Sequence, residues 1–319
     1  MPQVGSFVIE VSLTDHSMQY LDVETFKVDP SQSDKIYWIH CDSSEKNSLE
    51  KFKDKLNLPT EVVNMTSEEN RISKTIESND FLSLQLQCLH YELDGTQLTS
   101  NLVIHLTSQY CFTATDLQLP IFEDILKKIH TYMQYAKTPC FVIFILLDSI
   151  LNLYLEHLYD IEIKAEEMDI NTQDNDYDDV VNLKNHVMLV KRHVSAILNI
   201  LMNTSSRKIS VISESCRLSL VNLLQNTPMV VSEADSIRDL LNGTLGRIDN
   251  DLMHKVSRTM TILAVVATVF LPPTLIAGIY GMNFVIPEFT WKYGYFFSLS
   301  LMFLSGFFMY LFFKIKQWV

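Results

Sequence analysis

The chain has 319 residues, enough for about two domains, and a formal charge of -13 from 38 acidic and 25 basic side chains. So acidic a chain is a poor partner for nucleic acid, whose phosphates select basic faces. An acidic body beside a membrane is compatible with handling cations.

Met1 to Glu10 lacks a basic region followed by an apolar run, so no signal peptide is expected and the N-terminal body should stay in the cytosol. The β-branched and aromatic run Ile36-Tyr37-Trp38-Ile39, bounded by Asp34 and Asp42, predicts a strand. Ser43 and Ser44 offer an N-cap for a helix through about Leu56, stopped before Pro59. Phe81 to Tyr91 alternates Phe81, Ser83, Gln85, Gln87 against Leu82, Leu84, Leu86, Cys88, which is strand periodicity. Asp94-Gly95 then turns the chain into Leu98 to Leu106, and Gln109 to Thr115 supplies a further strand. The block to about Thr115 therefore reads as α+β with a mixed, mainly antiparallel sheet.

After Pro120 the texture is helical: Phe122 to Tyr135, then Thr138 to about Met168. The apolar run Phe141 to Leu147 inside the second helix invites reading it as a membrane span. Asp148 interrupts it, and Leu151, Tyr154, Leu158 and Ile161 resume an amphipathic pattern, so a buried soluble helix is expected. Asp174-Asn175-Asp176-Tyr177-Asp178 resembles the start of a calcium loop but lacks its glycine and closing glutamate, and reads as a solvated charge run. Helices follow at Val180 to Met202 and Ile209 to Gln225, separated by a turn at Asn203 to Ser206. His186 and His193, seven apart on one helix face, have no further ligand beside them and are expected to be exposed. The five cysteines, an odd number without C-x-x-C spacing, predict free thiols in a reducing compartment rather than a zinc site.

From Ser232 a single stalk helix is predicted to run through Tyr280, about 75 Å long at 1.5 Å per residue. Its C-terminal part, Met260 to Tyr280, is almost uncharged, and a second apolar run follows from about Tyr293 to Phe313. Each is about the 20 residues that cross a hydrocarbon core. The expected organisation is thus a cytosolic domain (1–231), a cytosolic stalk (232–258) and a two-span pore domain (259–319). His254, Lys255 and Arg258 precede the first span and Lys314 and Lys316 follow the second, while the loop between carries Lys292 against Glu288, so both termini are expected inside.

Gly278, Thr274, Leu271, Ala267, Ala264 and Met260 are spaced by three or four and form one narrow stripe, which continues through Met253 to Asp249. Small residues on such a face let helices approach closely. By itself the stripe fits either a packing seam or a pore wall.

Phe270-Leu271-Pro272, Ala277 to Phe284 with Gly281-Met282-Asn283 at its centre, Pro287-Glu288, Trp291 to Tyr295 and the closing Lys314 to Val319 resemble the CorA family of magnesium channels. That family's signature is Gly-Met-Asn at the end of the first of two C-terminal spans. The resemblance is close from about Val256 onward and architectural before it. It implies a funnel-shaped homopentamer in the plasma membrane, the inner membrane of a Gram-negative cell, closed by Mg²⁺ held between subunits. It also implies that Gly281, Met282 and Asn283 form an outer filter, with Thr274, Leu271, Leu263 and Met260 lining the pore.

The chemistry agrees with this role. Magnesium gives up its waters reluctantly, and a ring of neutral amides can hydrogen-bond to the hydration shell instead of replacing it. A carboxylate there would hold the ion too tightly to release it, and Gly281 is expected to let the backbone turn at the mouth. Leu271 and Met260 are candidates for apolar constrictions, and Pro272 and Pro273 deprive the Thr268 and Val269 carbonyls of helical partners, which predicts a bend.

Two departures stand out. Where relatives place sensor aspartates, this chain has Leu220 to Gln225, and where they carry an acidic ring at the cytosolic mouth it has Gly246, with Asp249 the nearest acid on the stripe. Asp80 and Asp239 are the remaining candidates for a regulatory metal site. The leading expectation is a passive Mg²⁺ channel, with Co²⁺ and Ni²⁺ as further candidate ions and no organic cofactor. A zinc transporter of the same superfamily, proton-coupled or not, and a membrane-anchored sensor or scaffold stay open as alternatives. No G-x-x-x-x-G-K-[ST] loop and no interpretable nucleophile, base and oxyanion set occur, so neither an ATP-driven pump nor an enzyme is expected.

Overall fold

In a computed structural model of the chain, which describes residues 5–15, 17–28, 34–44, 48–67, 73–91, 97–117, 119–133, 138–170, 177–283 and 286–316, the N-terminal strands form one sheet. They are β1 (Phe7–Ser12), β2 (Met18–Leu21), β3 (Lys35–Asp42), β4 (Lys74–Glu77), β5 (Phe81–Tyr91), β6 (Gln97–Thr107) and β7 (Tyr110–Thr115). The order is β2-β1-β3-β7-β6-β5-β4, and every neighbouring pair is antiparallel except β3 with β7, where Tyr37 faces Tyr110 in a parallel register.

Alternate side chains of β3 enter two different cores. Tyr37, Ile39 and Cys41 pack with Phe52 of α1 (Ser48–Leu56) and with Val62 and Met65 of α2 (Thr60–Ser67). Trp38 and His40 instead meet the Phe122 ring of α3 (Pro120–Met133), with centroids 6.2 and 4.2 Å away. That is why this strand reads as a continuous apolar run. Two polar positions of β5 are also buried: Ser83 bonds His105 Nδ1 at 2.8 Å, and Gln85 Nε2 donates to the Met65 carbonyl at 3.0 Å.

Because β4 pairs only as far as Gln85, the rest of that β5 edge needs other partners. Tyr154 of α4 (Phe141–Ile170) accepts the Leu89 N–H at 2.9 Å, and His193 of α5 (Tyr177–Ser206) donates to the Gln87 carbonyl. Tyr154→Phe is expected to destabilise the chain by about 1–3 kcal/mol, because it leaves the buried Leu89 N–H unpaired. Denaturant unfolding of the full chain in detergent should show a lower midpoint at unchanged slope.

Several expectations need correction. His193 is buried at 3% exposure, not exposed, because its face of α5 covers β5. Cys140 and Cys216 are bonded to each other, whereas Cys41, Cys88 and Cys111 are buried and form no disulfide. The bonded pair is 76 residues apart, so only the tertiary fold brings the N-terminal ends of two helices together. Ser43 and Ser44 do not cap α1, which starts at Ser48; Ser43 Oγ donates to the Thr115 carbonyl and Ser44 to Asp42. The turn expected at Asn203 to Ser206 belongs to α5. The Asp94-Gly95 turn and residues 174–176 of the acidic stretch lie outside the described residues.

The largest difference is α6 (Glu214–Tyr280), a single helix of 67 residues where a shorter helix and a stalk from Ser232 are expected. It passes through Pro228, which withholds the N–H that the Leu224 carbonyl would accept. One residue earlier, the Thr227 hydroxyl donates to the Leu223 carbonyl at 2.8 Å. α7 (Gly294–Ile315) follows after a short 3-10 turn, Pro287–Thr290. The chain divides into two compact units, Met1–Asn171 with Asp178–Asn242, and Thr172–Tyr177 with Gly243–Val319.

Among the described residues, α4, α6 and α7 are long and apolar enough to cross a membrane. Half of the apolar window of α4 is buried inside its own unit, against 6% for α6 and 11% for α7. Ile143, Leu146, Leu147 and Ile150 lie in a protein core, so α4 already has its apolar partners. α6 and α7 present theirs to the surroundings.

Candidate functional site

Along the C-terminal part of α6 most apolar side chains are exposed. Met260, Leu263 and Leu271 are 67%, 70% and 66% exposed, unlike any packed core leucine. Ala267, Leu271, Thr274, Gly278 and Met282 line one open trough of about 620 Å³ along this face. Ala267, Leu271, Thr274 and Gly278 of the expected stripe are all exposed. Asp249, further toward the N-terminus, is exposed on the same helix.

The helix continues through Pro272 and Pro273. Hydroxyls on either side turn back on the helix: Thr268 Oγ1 donates to the Ala264 carbonyl at 2.8 Å and Thr274 Oγ1 to the Phe270 carbonyl at 2.7 Å. Such back-bonding satisfies the hydroxyls, which otherwise have no partner on an apolar face.

At the C-terminal end, Gly281 N–H still donates to the Ala277 carbonyl at 2.9 Å, and Met282 N–H tightens the last turn onto Ile279 at 3.2 Å. Gly281 lies in the turn that ends α6 without adopting a left-handed backbone. A Cβ there would stand 3.0 Å from the Ala277 carbonyl oxygen, a tight contact that glycine avoids. Met282 and Asn283 follow at a bend, both exposed. Asn283 thus lies beyond the end of the trough, with Met282 as the trough's last lining residue.

Glu288 falls in the turn Pro287–Thr290, and Lys292 is exposed just before α7. α7 packs along α6 where it carries Gly306: a Cβ there would stand 3.5 Å from Pro273 Cγ and 3.6 Å from the Val269 carbonyl oxygen. Phe303 and Phe307 stack with planes 8° apart on α7.

The two candidate regulatory carboxylates are not brought together. Asp80 is exposed at the bend before β5, and Asp239 is exposed and ion-paired with Arg238 at 2.9 Å. Among the described residues no group of three or more His, Cys, Asp and Glu side chains could hold a metal ion. Leu220 and Leu223 are buried.

Residues 33–317 match the family model of the CorA-like Mg²⁺ transporter protein. Among curated proteins, the cobalt/magnesium transport protein CorA of Thermotoga maritima is 35% identical over 99 residues, 31% of this chain and 28% of that protein. The aligned stretch is thus less than a third of that relative's length. The solved structure of the CorA magnesium transporter from Methanocaldococcus jannaschii superposes with a TM-score of 0.86 at 20% identity, covering 100% of both chains. The ZntB cytoplasmic domain from Vibrio parahaemolyticus superposes with a TM-score of 0.66 at 10% identity, covering 79% of this chain and 100% of that one. At such identities the two structures speak for the fold alone. With an unpartnered apolar pair of C-terminal helices, Gly-Met-Asn between them and a family match over most of its length, the chain belongs to the CorA-like Mg²⁺ transporter family of membrane proteins.

Proposed function

We propose that this chain is a Mg²⁺ channel, in which copies of α6 stand around a water-filled axis and Asn283 forms an amide collar at its outer mouth. One observation carries the reading: the uncovered face of α6 ends at Gly281-Met282-Asn283. An apolar helix face left bare in one chain calls for lipid, a second copy or a pore. Its small residues, Ala267, Thr274 and Gly278, suit close approach of neighbouring copies, and five copies is the number the resemblance implies. Leu271 and Met260 then form apolar constrictions that gate by dewetting, with Leu263 and Asp249 deeper on the path. Both termini lie on the cytosolic side. An interior potential near -100 mV draws a divalent ion inward with about 4 to 5 kcal/mol, so no other energy source is needed. Asp80 and Asp239, both exposed, are available to a neighbouring copy and are assigned as regulatory carboxylates, although Arg238 competes for Asp239.

Liposomes holding the purified full chain and a Mg²⁺ indicator test the reading. Mg²⁺ influx driven by an inside-negative potential, without a pH gradient, is expected. Zinc influx that needs the proton gradient, with no Mg²⁺ flux, overturns it in favour of a proton-coupled zinc transporter; no flux of any divalent ion favours a sensor or scaffold.

A further inference from the structure

α6 and α7 enclose two cavities that share Met302. The first, about 460 Å³, lies between the last turn of α6 and the first turns of α7, lined by Tyr280, Trp291, Lys292, Tyr295 and Ser298 among others. The second, about 490 Å³, is an open trough walled by Val269, Pro273, Leu299, Phe303, Gly306 and Phe307, with Tyr310 at its far end. Joined through Met302, they make one groove with a polar, cationic end and an apolar run.

Its length is informative. From Ser298 to Tyr310, α7 rises about 18 Å at 1.5 Å per residue, against about 15 Å for half of a hydrocarbon core. The groove therefore matches one leaflet. Its polar end lies at the α6–α7 loop, where Trp291, Tyr293 and Tyr295 have the composition of an interfacial aromatic belt. Lys292 is the only charged residue lining either cavity among the described residues, so a phosphate meets a cation there and an ammonium meets no carboxylate. The first turn of α7, which has no side-chain cap, adds its partial positive charge at the same end. Gly306 keeps the trough open, because any side chain beyond a methyl would extend from the contact with Pro273 into it.

We propose that this groove seats an anionic phospholipid from the leaflet on the loop side, its phosphate on Lys292 and one acyl chain along α7. The inference rests on reading α6 and α7 as membrane spans.

The test is native mass spectrometry of the full chain in detergent, titrated with phosphatidylglycerol, with phosphatidylcholine of the same chains, and with glycerol phosphate. Phosphatidylglycerol is expected to bind about tenfold tighter than phosphatidylcholine: both offer a phosphate, but the latter also brings a choline cation that Lys292 repels and no lining carboxylate offsets. Lys292→Gln should remove that preference and Lys292→Arg keep it, while Gly306→Leu should weaken both lipids. Equal retention of the two lipids with no effect of Lys292→Gln overturns the proposal. So does competition by glycerol phosphate at equal concentration, which marks an adventitious ion only, or a second copy cross-linked over the trough in place of lipid. Should Gly306→Leu fail to fold, Lys292→Gln on the exposed loop still decides. Alkaline extraction of membranes from the same cells separates the two failures: a chain released into the soluble fraction refutes the spans, whereas a retained chain without lipid preference refutes only the groove.

Discussion

Asn283→Ala is expected to lower Mg²⁺ uptake by roughly one to two orders of magnitude, the loss predicted when an ordinary hydrogen bond of about 0.5–1.5 kcal/mol is removed at each of several copies of a collar. The amide oxygen of Asn283 can accept from the waters around the ion, and alanine offers nothing in its place. The side chain is exposed beyond the end of α6, so its removal leaves no cavity and should not disturb folding. Asn283→Asp separates capture from release: a carboxylate should still attract the ion but hold it longer, giving block at low Mg²⁺ rather than loss of binding. The measurement is uptake by a magnesium-starved host expressing each variant at equal membrane level. Unchanged uptake with alanine would remove Asn283 from the ion path.

Acid should destabilise the N-terminal unit steeply between about pH 6 and pH 4. Burial pushes His40 down to about 3, against a weaker upward pull from Asp42, and pushes His105 down to about 4. His193 is lowered to about 4, by burial first and Arg192 next, while its bond to the Gln87 carbonyl pulls the other way. All three folded values lie below the ordinary 6.5. The unfolded chain therefore takes up protons that the folded chain refuses: the stabilisation is complete above pH 6.5 and is lost as pH falls. Three such groups give a slope of up to about 4 kcal/mol per pH unit, at about 1.4 each. Thermal unfolding of the full chain in detergent, followed by circular dichroism from pH 7 to pH 4, reads the slope. His105→Gln should reduce it by about a third, and a flat profile between pH 6 and pH 4.5 would show that these rings are not held neutral.

The membrane segments were legible because length and lack of charge are strong one-dimensional signals, and Gly281-Met282-Asn283 stands at a fixed place relative to them. Asp148, which argues against a span in α4, goes with a helix half buried inside its own unit. What stayed hidden depends on partners distant in sequence. β1 contains Glu10, an unlikely core residue until Lys35 at 3.0 Å and Gln19 at 2.8 Å are seen beside it. β2 is four residues long with two exposed, so it has almost no pattern to read. His193 reads as a surface residue because nothing local reveals that its ring reaches the Gln87 carbonyl. The join between the helix ending near Gln225 and the stalk was missed for a different reason. Pro228 weakens a helix locally, and packing of Leu223, Val230 and Ala234, all buried, carries α6 across it.

The single parallel pairing in the sheet also bears on how the protein is made. β3 finds its neighbour β7 across 73 residues, Tyr37 to Tyr110. During synthesis the first three strands must wait, one edge bare, until β7 has left the ribosome, and closing so long a loop slows the search. A nascent chain stalled before Thr115 should therefore be a client for holdase chaperones, with its exposed strand the segment they protect.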